Sequence, residues 1–287
     1  MLSNNVIDGR AIAEKIYQEL SAKIEKIIDI SGQIPTMALL SATDDAGVKF
    51  YQNTQVKIAQ RLKIKVENYL LSSSSTEEEL TSLIEELNKR KDVHGIFIHF
   101  PLPVGINEKK IASLVSPDKD LDGIHPLNQG KLFAGEKGTR PCTPSAVIEL
   151  LERQKVELSG KHAVVIGRSV VVGKPLALAL LEKNCTVTIC HSKTANLREI
   201  TKQADILAVA IGKPNYIDSS FIKPGAIVID VGTNEVEGKM IGDVDFAEAV
   251  KIASLITPVP GGVGPVTTAL CFKNLVRMVE SVITPSI

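Results

Sequence analysis

The chain has no tryptophan, draws only 4% of its 287 residues from the aromatics, and balances 33 basic side chains against 33 acidic ones. A protein that tracks nucleic acid needs a basic field and flat rings for stacking. Both are missing, so no nucleic-acid partner is expected. The four cysteines, Cys142, Cys185, Cys190 and Cys271, form no C-x-x-C pair. They are too few for a disulfide framework at this length and read as buried thiols in a reducing compartment. No uninterrupted apolar run approaches the roughly 20 residues of a membrane span, and MLSNNVIDGR lacks the basic and apolar regions of a signal peptide. No His, Cys, Asp and Glu cluster has metal-ligand spacing, so no metal is expected. A soluble cytoplasmic protein is the expectation.

What is present is ordinary for a globular chain: 44% hydrophobic and 23% charged residues. At roughly 100–200 residues per domain, the length allows about two domains. The first half alternates helical and strand patterns. Ile12, Ile16, Leu20, Ile24 and Ile27 recur at helical spacing, and Thr36–Ala42 reads as a buried strand. A helix near Gly47–Leu62, a strand at Lys65–Leu71, a capping box at Thr76 and Glu79, and a strand at Val93–His99 follow. Residues 100–141 break the rhythm with turn chemistry around one short helix near Asn107–Val115. Thr143-Pro144 then reads as an N-cap and first-turn pair. Strands follow at His162–Ile166, Thr186–Cys190, Ile206–Ala210 and Ala226–Asp230, and a last helix near Pro265–Val282. The fold class is α/β with parallel sheets.

One local signal points to a ligand. In KHAVVIGRSVVVGKPLALALL a strand ends at Gly167, and a helix starts near Gly173. Free backbone N–H groups and a positive helix end there suit a pyrophosphate. The spacing is neither G-x-G-x-x-G nor a Walker loop, and a tight structural turn explains it alone. About 20 residues on, NAD sites place a carboxylate. Here Cys190-His191-Ser192-Lys193 has none, while Arg168 and Lys193 offer cations to a 2′-phosphate. NADP is the expected cofactor. Gly212 and Gly232 end two later strands, where a structural turn and a close approach to cofactor stand equally.

Read in order, YQNTQVKIA, GIFIHFPLP, PDKDLDGIHPLNQG, RPCTP, VVIGRSVVVGKP, CHSKT, ADILAVAIGKP, VIDVGTN, GDVDF and ITPVPGGVGPVT resemble the motifs of the bifunctional methylenetetrahydrofolate dehydrogenase/cyclohydrolase family. The resemblance runs from Val6-Ile7-Asp8-Gly9 to the last helix. It implies NADP-dependent oxidation of 5,10-methylenetetrahydrofolate to 5,10-methenyltetrahydrofolate, ordinarily followed by hydrolysis to 10-formyltetrahydrofolate. It also implies two α/β domains flanking a cleft, the second Rossmann-like and doubly wound, and a homodimer. Residues 1–121 with 268–287 are the expected folate-binding domain, and 122–267 the NADP-binding one. Tyr51 matches the folate-stacking tyrosine, and Asp122 the carboxylate that holds the pterin. Pro260, Gly261 and Gly262 match the folate-side loop, and Arg168 and Ser192 the 2′-phosphate contacts. Gly167, Ser169, Gly173, Gly212, Gly232 and Thr233 complete the expected cofactor set.

Three positions depart from that pattern. The family reads Tyr-x-x-x-Lys-x-Lys, with the first lysine assigned to catalysis, and here it is Gln55. The family's partner glutamine is His99, and the serine of Ser-x-x-Tyr is Val48. Tyr51, Gln55, His99 and Asp122 are the catalytic candidates. A neutral amide neither accepts nor delivers a proton near pH 7. The expectation is a dehydrogenase with weak or absent cyclohydrolase activity. Alternatives are a bifunctional enzyme in which His99, with an ordinary pKa near 6.5, or Lys57 takes over, and a non-catalytic NADP-binding homologue.

Overall fold

In the computed structural model, which describes residues 4–283, the two alternating stretches become two parallel sheets. The elements, in chain order, are α1 (Gly9–Ser31), β1 (Thr36–Ser41), α2 (Ala46–Arg61), β2 (Lys65–Leu70), α3 (Glu77–Lys89), β3 (Gly95–Ile98), α4 (Glu108–Leu114), α5 (Pro126–Ala134) and α6 (Cys142–Arg153). There follow β4 (His162–Ile166), α7 (Gly173–Glu182), β5 (Thr186–Cys190), α8 (Leu197–Thr201), β6 (Ile206–Val209) and β7 (Ile227–Asp230). The chain continues through β8 (Asn234–Val236), β9 (Lys239–Ile241), α9 (Phe246–Ala249), β10 (Leu255–Ile256) and α10 (Val263–Ile283). Two units can be distinguished. The nucleotide-side unit comprises the chain to Glu14, Leu132–Glu136 and Pro141–Leu270. The other comprises Lys15–Lys131, Lys137–Arg140 and the chain from Cys271.

The three-stranded sheet has the order β2-β1-β3, all parallel. Its centre is β1, TMALLS, buried at every position, as a parallel strand covered on both faces must be. Ala38, Leu40, Ile96 and Ile98 pack with Leu80, Ile84 and Leu87 of α3 and Ile111 of α4. The strand period of two sends Phe97 and His99 to the opposite face. Thr76 and Glu79 make the expected reciprocal cap on α3.

The five-stranded sheet has the order β10-β7-β6-β4-β5, again all parallel. Renumbered within the unit this is 2-1-3-4-5, a doubly wound order whose switch point falls between β4 and β6. The smaller sheet is 2-1-3, with its own switch between β1 and β3. Ligand crevices of such sheets open at the carboxyl ends of the strands flanking the switch. That directs attention to His99, just past β3, and to Gly167, just past β4.

Three expectations are corrected. HPLNQG was expected as irregular chain and is the start of α5: the buried Asp120 carboxylate accepts the N–H groups of Ile124 (3.2 Å) and His125 (2.8 Å) and opens that helix. Pro126 fits at its first position because no N–H is needed there. Next, α6 begins at Cys142 after Pro141, with no side-chain cap, so Thr143 lies inside the first turn and is not the N-cap. Finally, the β8–β9 hairpin, turning at Glu237 and Gly238 with positive φ, follows β7 where no strands were expected. The four cysteines are free and buried, as expected. No described helix is long and apolar enough to cross a membrane, and among the described residues no group of three or more His, Cys, Asp and Glu is placed to hold a metal.

Candidate functional site

Asp45 caps α2 by accepting the Val48 N–H at 2.8 Å. The helix buries Gln52, Gln55 and Ala59. An i, i+4 spacing sets Tyr51 and Gln55 on this same side. From the sheet, His99 is anchored by its N–H to the Leu40 carbonyl at 2.8 Å. The Tyr51 ring meets the His99 ring edge-on with centroids 5.6 Å apart, and Phe97 lies 4.9 Å from His99 and 6.4 Å from Tyr51. Four side-chain polar atoms of Gln52, Gln55 and His99 lack partners. Gln55 is 0% exposed with neither Nε2 nor Oε1 bonded, and His99 is 3% exposed with Nε2 unbonded. Gln52 donates to Asn68 Oδ1 at 2.6 Å, leaving its own Oε1 unbonded. Buried orphans of this kind are rare and costly, and they make this part of the unit the candidate site.

Burial pushes the His99 imidazole down to about 4, so the ordinary value near 6.5 does not hold and the ring is neutral at pH 7. The sign of its effect on stability follows. The unfolded chain takes up a proton near pH 6.5, whereas the folded chain resists until about pH 4. His99 therefore costs nothing above pH 6.5, and stability is lost as pH falls from there through about 4. In denaturant unfolding, His99→Gln should flatten the fall across that window by about 3 kcal/mol relative to the wild type. Parallel curves would show that the imidazole is not held neutral. Lys57 is exposed and stands two residues, about 200°, around the helix from Gln55.

Asp122 is half-buried and follows Lys119–Leu121, a segment bonded to β3 through Ile96 N–H to Lys119 O (2.7 Å) and Leu121 N–H to Ile96 O (3.2 Å). His125 is occupied structurally, its Nδ1 accepting the Leu127 N–H and its Nε2 facing the Ser113 carbonyl.

In the nucleotide-side unit, a pocket opens at the switch point. Gly167, Arg168, His191, Ser192, Ala210, Lys213 and Tyr216 are among its lining residues. Gly167 has φ +141°, and a Cβ on it would stand 2.4 Å from the Ala210 carbonyl oxygen. A Cβ on Gly173 would stand 2.2 Å from Gly167 O. These glycines let β4, β6 and α7 converge. Ser169 turns its hydroxyl onto the N–H groups of Val172 (3.1 Å) and Gly173 (3.3 Å), so it shapes the loop. Arg168 is exposed and makes no ion pair or hydrogen bond with described residues.

Gly232 and Thr233 line a second pocket of this unit with Asp230, Arg10 and the loop Pro258–Pro265, which contains Pro260, Gly261 and Gly262. The expected cofactor residues thus divide between two pockets, and Ser169, Gly173 and Gly212 line neither. Two buried aspartates that the sequence reading did not single out organise the turns. Asp243 accepts the N–H groups of Ile211 (2.7 Å), Gly212 (3.1 Å) and Lys213 (2.7 Å) and the Asn234 amide (3.0 Å). A Cβ on Gly232 would fall 2.1 Å from Asp243 Cγ, so the first demand on that glycine is this carboxylate. Asp230 accepts from Gly232, Asp243 and Val244. Burial pushes its carboxyl up to about 7, against those three N–H groups. Arg10, Lys213 and Tyr216 were also missed, because only tertiary contact brings them to the pockets.

Two family models match the chain. Residues 7–122 match "Tetrahydrofolate dehydrogenase/cyclohydrolase, catalytic domain", and residues 141–283 match "Tetrahydrofolate dehydrogenase/cyclohydrolase, NAD(P)-binding domain". A bifunctional protein FolD of Ruminiclostridium cellulolyticum is 48% identical, over 97% of this chain and 98% of that protein. The solved bifunctional FolD of Campylobacter jejuni superposes with TM-score 0.94 at 41% identity, covering 96% of this chain and 98% of that one. The Trypanosoma brucei enzyme, solved with NADP cofactor and an inhibitor, gives TM-score 0.93 at 36% identity, covering 97% and 98%.

Proposed function

The chain is an enzyme of the tetrahydrofolate dehydrogenase/cyclohydrolase family, and from that premise we propose that it oxidises 5,10-methylenetetrahydrofolate to 5,10-methenyltetrahydrofolate with NADP and hydrolyses the product weakly or not at all. The observation that carries this reading is the buried amide of Gln55, one helical turn from Tyr51, whose ring meets the buried, neutral imidazole of His99. Dehydrogenation needs the substrate methylene held against the hydride acceptor, so positioning dominates. Tyr51 supplies a flat face for the folate rings, and the Asp122 carboxylate suits the paired N–H donors of a pterin edge. Hydrolysis additionally needs a proton taken from the attacking water, and neither the Gln55 amide nor the His99 imidazole, pushed down to about 4 by burial, is an effective base at pH 7. Lys57, on the exposed side of α2, does not replace the lysine.

The residues at the β4 switch point fit NADP. Gly167 and Gly173 admit a backbone approach, and the N-terminus of α7 favours an anion. Arg168, free of other bonds, and Ser192 would take the 2′-phosphate; when bound, NADP supplies the hydride acceptor. The reading includes a homodimer through the nucleotide-side unit, in the cytoplasm. The direct test is NADP reduction with methylenetetrahydrofolate, run beside NAD. Arg168→Ala should raise KM for NADP about 10- to 100-fold, the value of a lost charged hydrogen bond, and leave KM for NAD within about twofold. An equal rise for both would remove Arg168 from the phosphate site. No reduction with either cofactor would favour a non-catalytic NADP-binding homologue.

A further inference from the structure

Removing a hydride from the methylene group breaks a C–H bond, and the electron pair leaves with the hydrogen to the nicotinamide. The lone pairs of N5 and N10 then share a positive charge with the carbon between them. The substrate is neutral at that centre, the product is a cation, and the hydrolysed product is neutral again. On the reading of the site above, this is the one point in the sequence where the folate changes charge.

We propose that the ring cluster of Tyr51, Phe97 and His99, with the buried Gln55 one helical turn from Tyr51, is a cation-accepting site that prefers the methenyl product over neutral reduced folates. Three rings meet there, with centroid separations of 4.9, 5.6 and 6.4 Å in mutually tilted or edge-on arrangements, in a chain only 4% aromatic. Ring faces attract cations, and more strongly where water is excluded. Both ends of the Gln55 amide are buried and unbonded, so the side chain is free to turn its oxygen toward a cation. No ammonium opposes the charge from the buried side of α2: its members are Gln52, Gln55 and Ala59. Lys57 is exposed, and Lys49 is drawn outward to Asp44 at 3.0 Å. A lysine at position 55 would set two like charges together where solvent screens them poorly.

Exchanging that lysine for an amide thus has a consequence apart from hydrolysis: it lets the product cation rest in the pocket. Bound folate is accordingly biased toward the oxidised form.

The test is a charge series at one position, read by binding without cofactor. Dissociation constants for 5,10-methenyltetrahydrofolate and for tetrahydrofolate, the neutral reference, are measured at pH 6 for the wild type, Gln55→Glu and Gln55→Lys. The quantity read is the ratio of the two constants. Preference for the methenyl cation should fall about tenfold or more with lysine and rise at least threefold with glutamate. A flat or reversed series overturns the proposal. Should Gln55→Lys fail to fold, Gln55→Glu against Gln55→Met carries the same comparison, with methionine leaving the preference within about threefold of the wild type. Phe97→Leu should weaken the methenyl compound more than tetrahydrofolate, and equal weakening removes the rings from the account. A wild type that binds neither folate overturns the folate reading together with this inference; binding of both with a flat series overturns the inference alone.

Discussion

Gln55→Lys combined with His99→Gln is expected to raise the turnover of 5,10-methenyltetrahydrofolate hydrolysis by about 10²–10⁴-fold, the span a positioned acid–base group commonly contributes. Position 55 lies on the side of α2 that Tyr51 shares, at 0% exposure, so a lysine introduced there is delivered to the folate ring and not to solvent. Its ammonium is desolvated, which lowers its pKa and brings it into the range where a proton is exchanged readily. Glutamine at position 99 restores the amide that partners this lysine in the family pattern, in place of the His99 imidazole. Dehydrogenase turnover should change far less, because hydride transfer asks for position and not for a proton. The measurement is the decay of methenyltetrahydrofolate absorbance beside NADP reduction in the same preparations. If hydrolysis is already rapid in the wild type and collapses in the double variant, His99 performs the acid–base work and the proposed loss of the second activity is wrong.

Asp243→Ala is expected to cost about 3–5 kcal/mol of stability and to lower the midpoint of thermal unfolding by about 10 °C. One fully buried carboxylate gathers three consecutive backbone N–H groups and a side-chain amide. Truncation leaves them without an acceptor, and each buried orphan costs about 1–3 kcal/mol before the loop relaxes. Because a Cβ on Gly232 would collide with this carboxylate, Gly232→Ala should be severe alone and much milder on the Asp243→Ala background. That coupling is the signature of direct contact. A midpoint within about 2 °C of the wild type would mean that the turns hold themselves.

Much of the fold was legible from strand patterns: the buried apolar run HAVVI carries the bounds of β4 unaltered, and the β-branched alternation TVTIC those of the half-exposed edge strand β5. The cap on α3 was legible for the opposite reason, since its two partners lie three residues apart. What escaped depends on partners distant in sequence or out of pattern. The opening of α5 rests on Asp120, four and five residues upstream of the N–H groups it receives, inside a stretch rich in turn residues. At the site, the resemblance drew attention to Tyr51, Gln55 and His99, and the neutrality of the imidazole came only with its burial. Gly232 read as a place where a cofactor comes close; no local pattern announces that the close neighbour is Asp243, eleven positions on.

The short pairing of Ile96 with Asp120 bears on how this sheet guards its edges. A parallel sheet of three strands ends in two edges, and an open edge invites another chain to add to it. Here the outer side of β3 is already taken by Lys119–Leu121. The other edge, β2, carries Lys65 and Glu67, with Arg90 drawn onto Glu67 at 2.7 Å. A strand approaching there must first desolvate a knot of charge. One edge is sealed by the chain itself and the other is made unattractive, which protects the sheet from growth into aggregates.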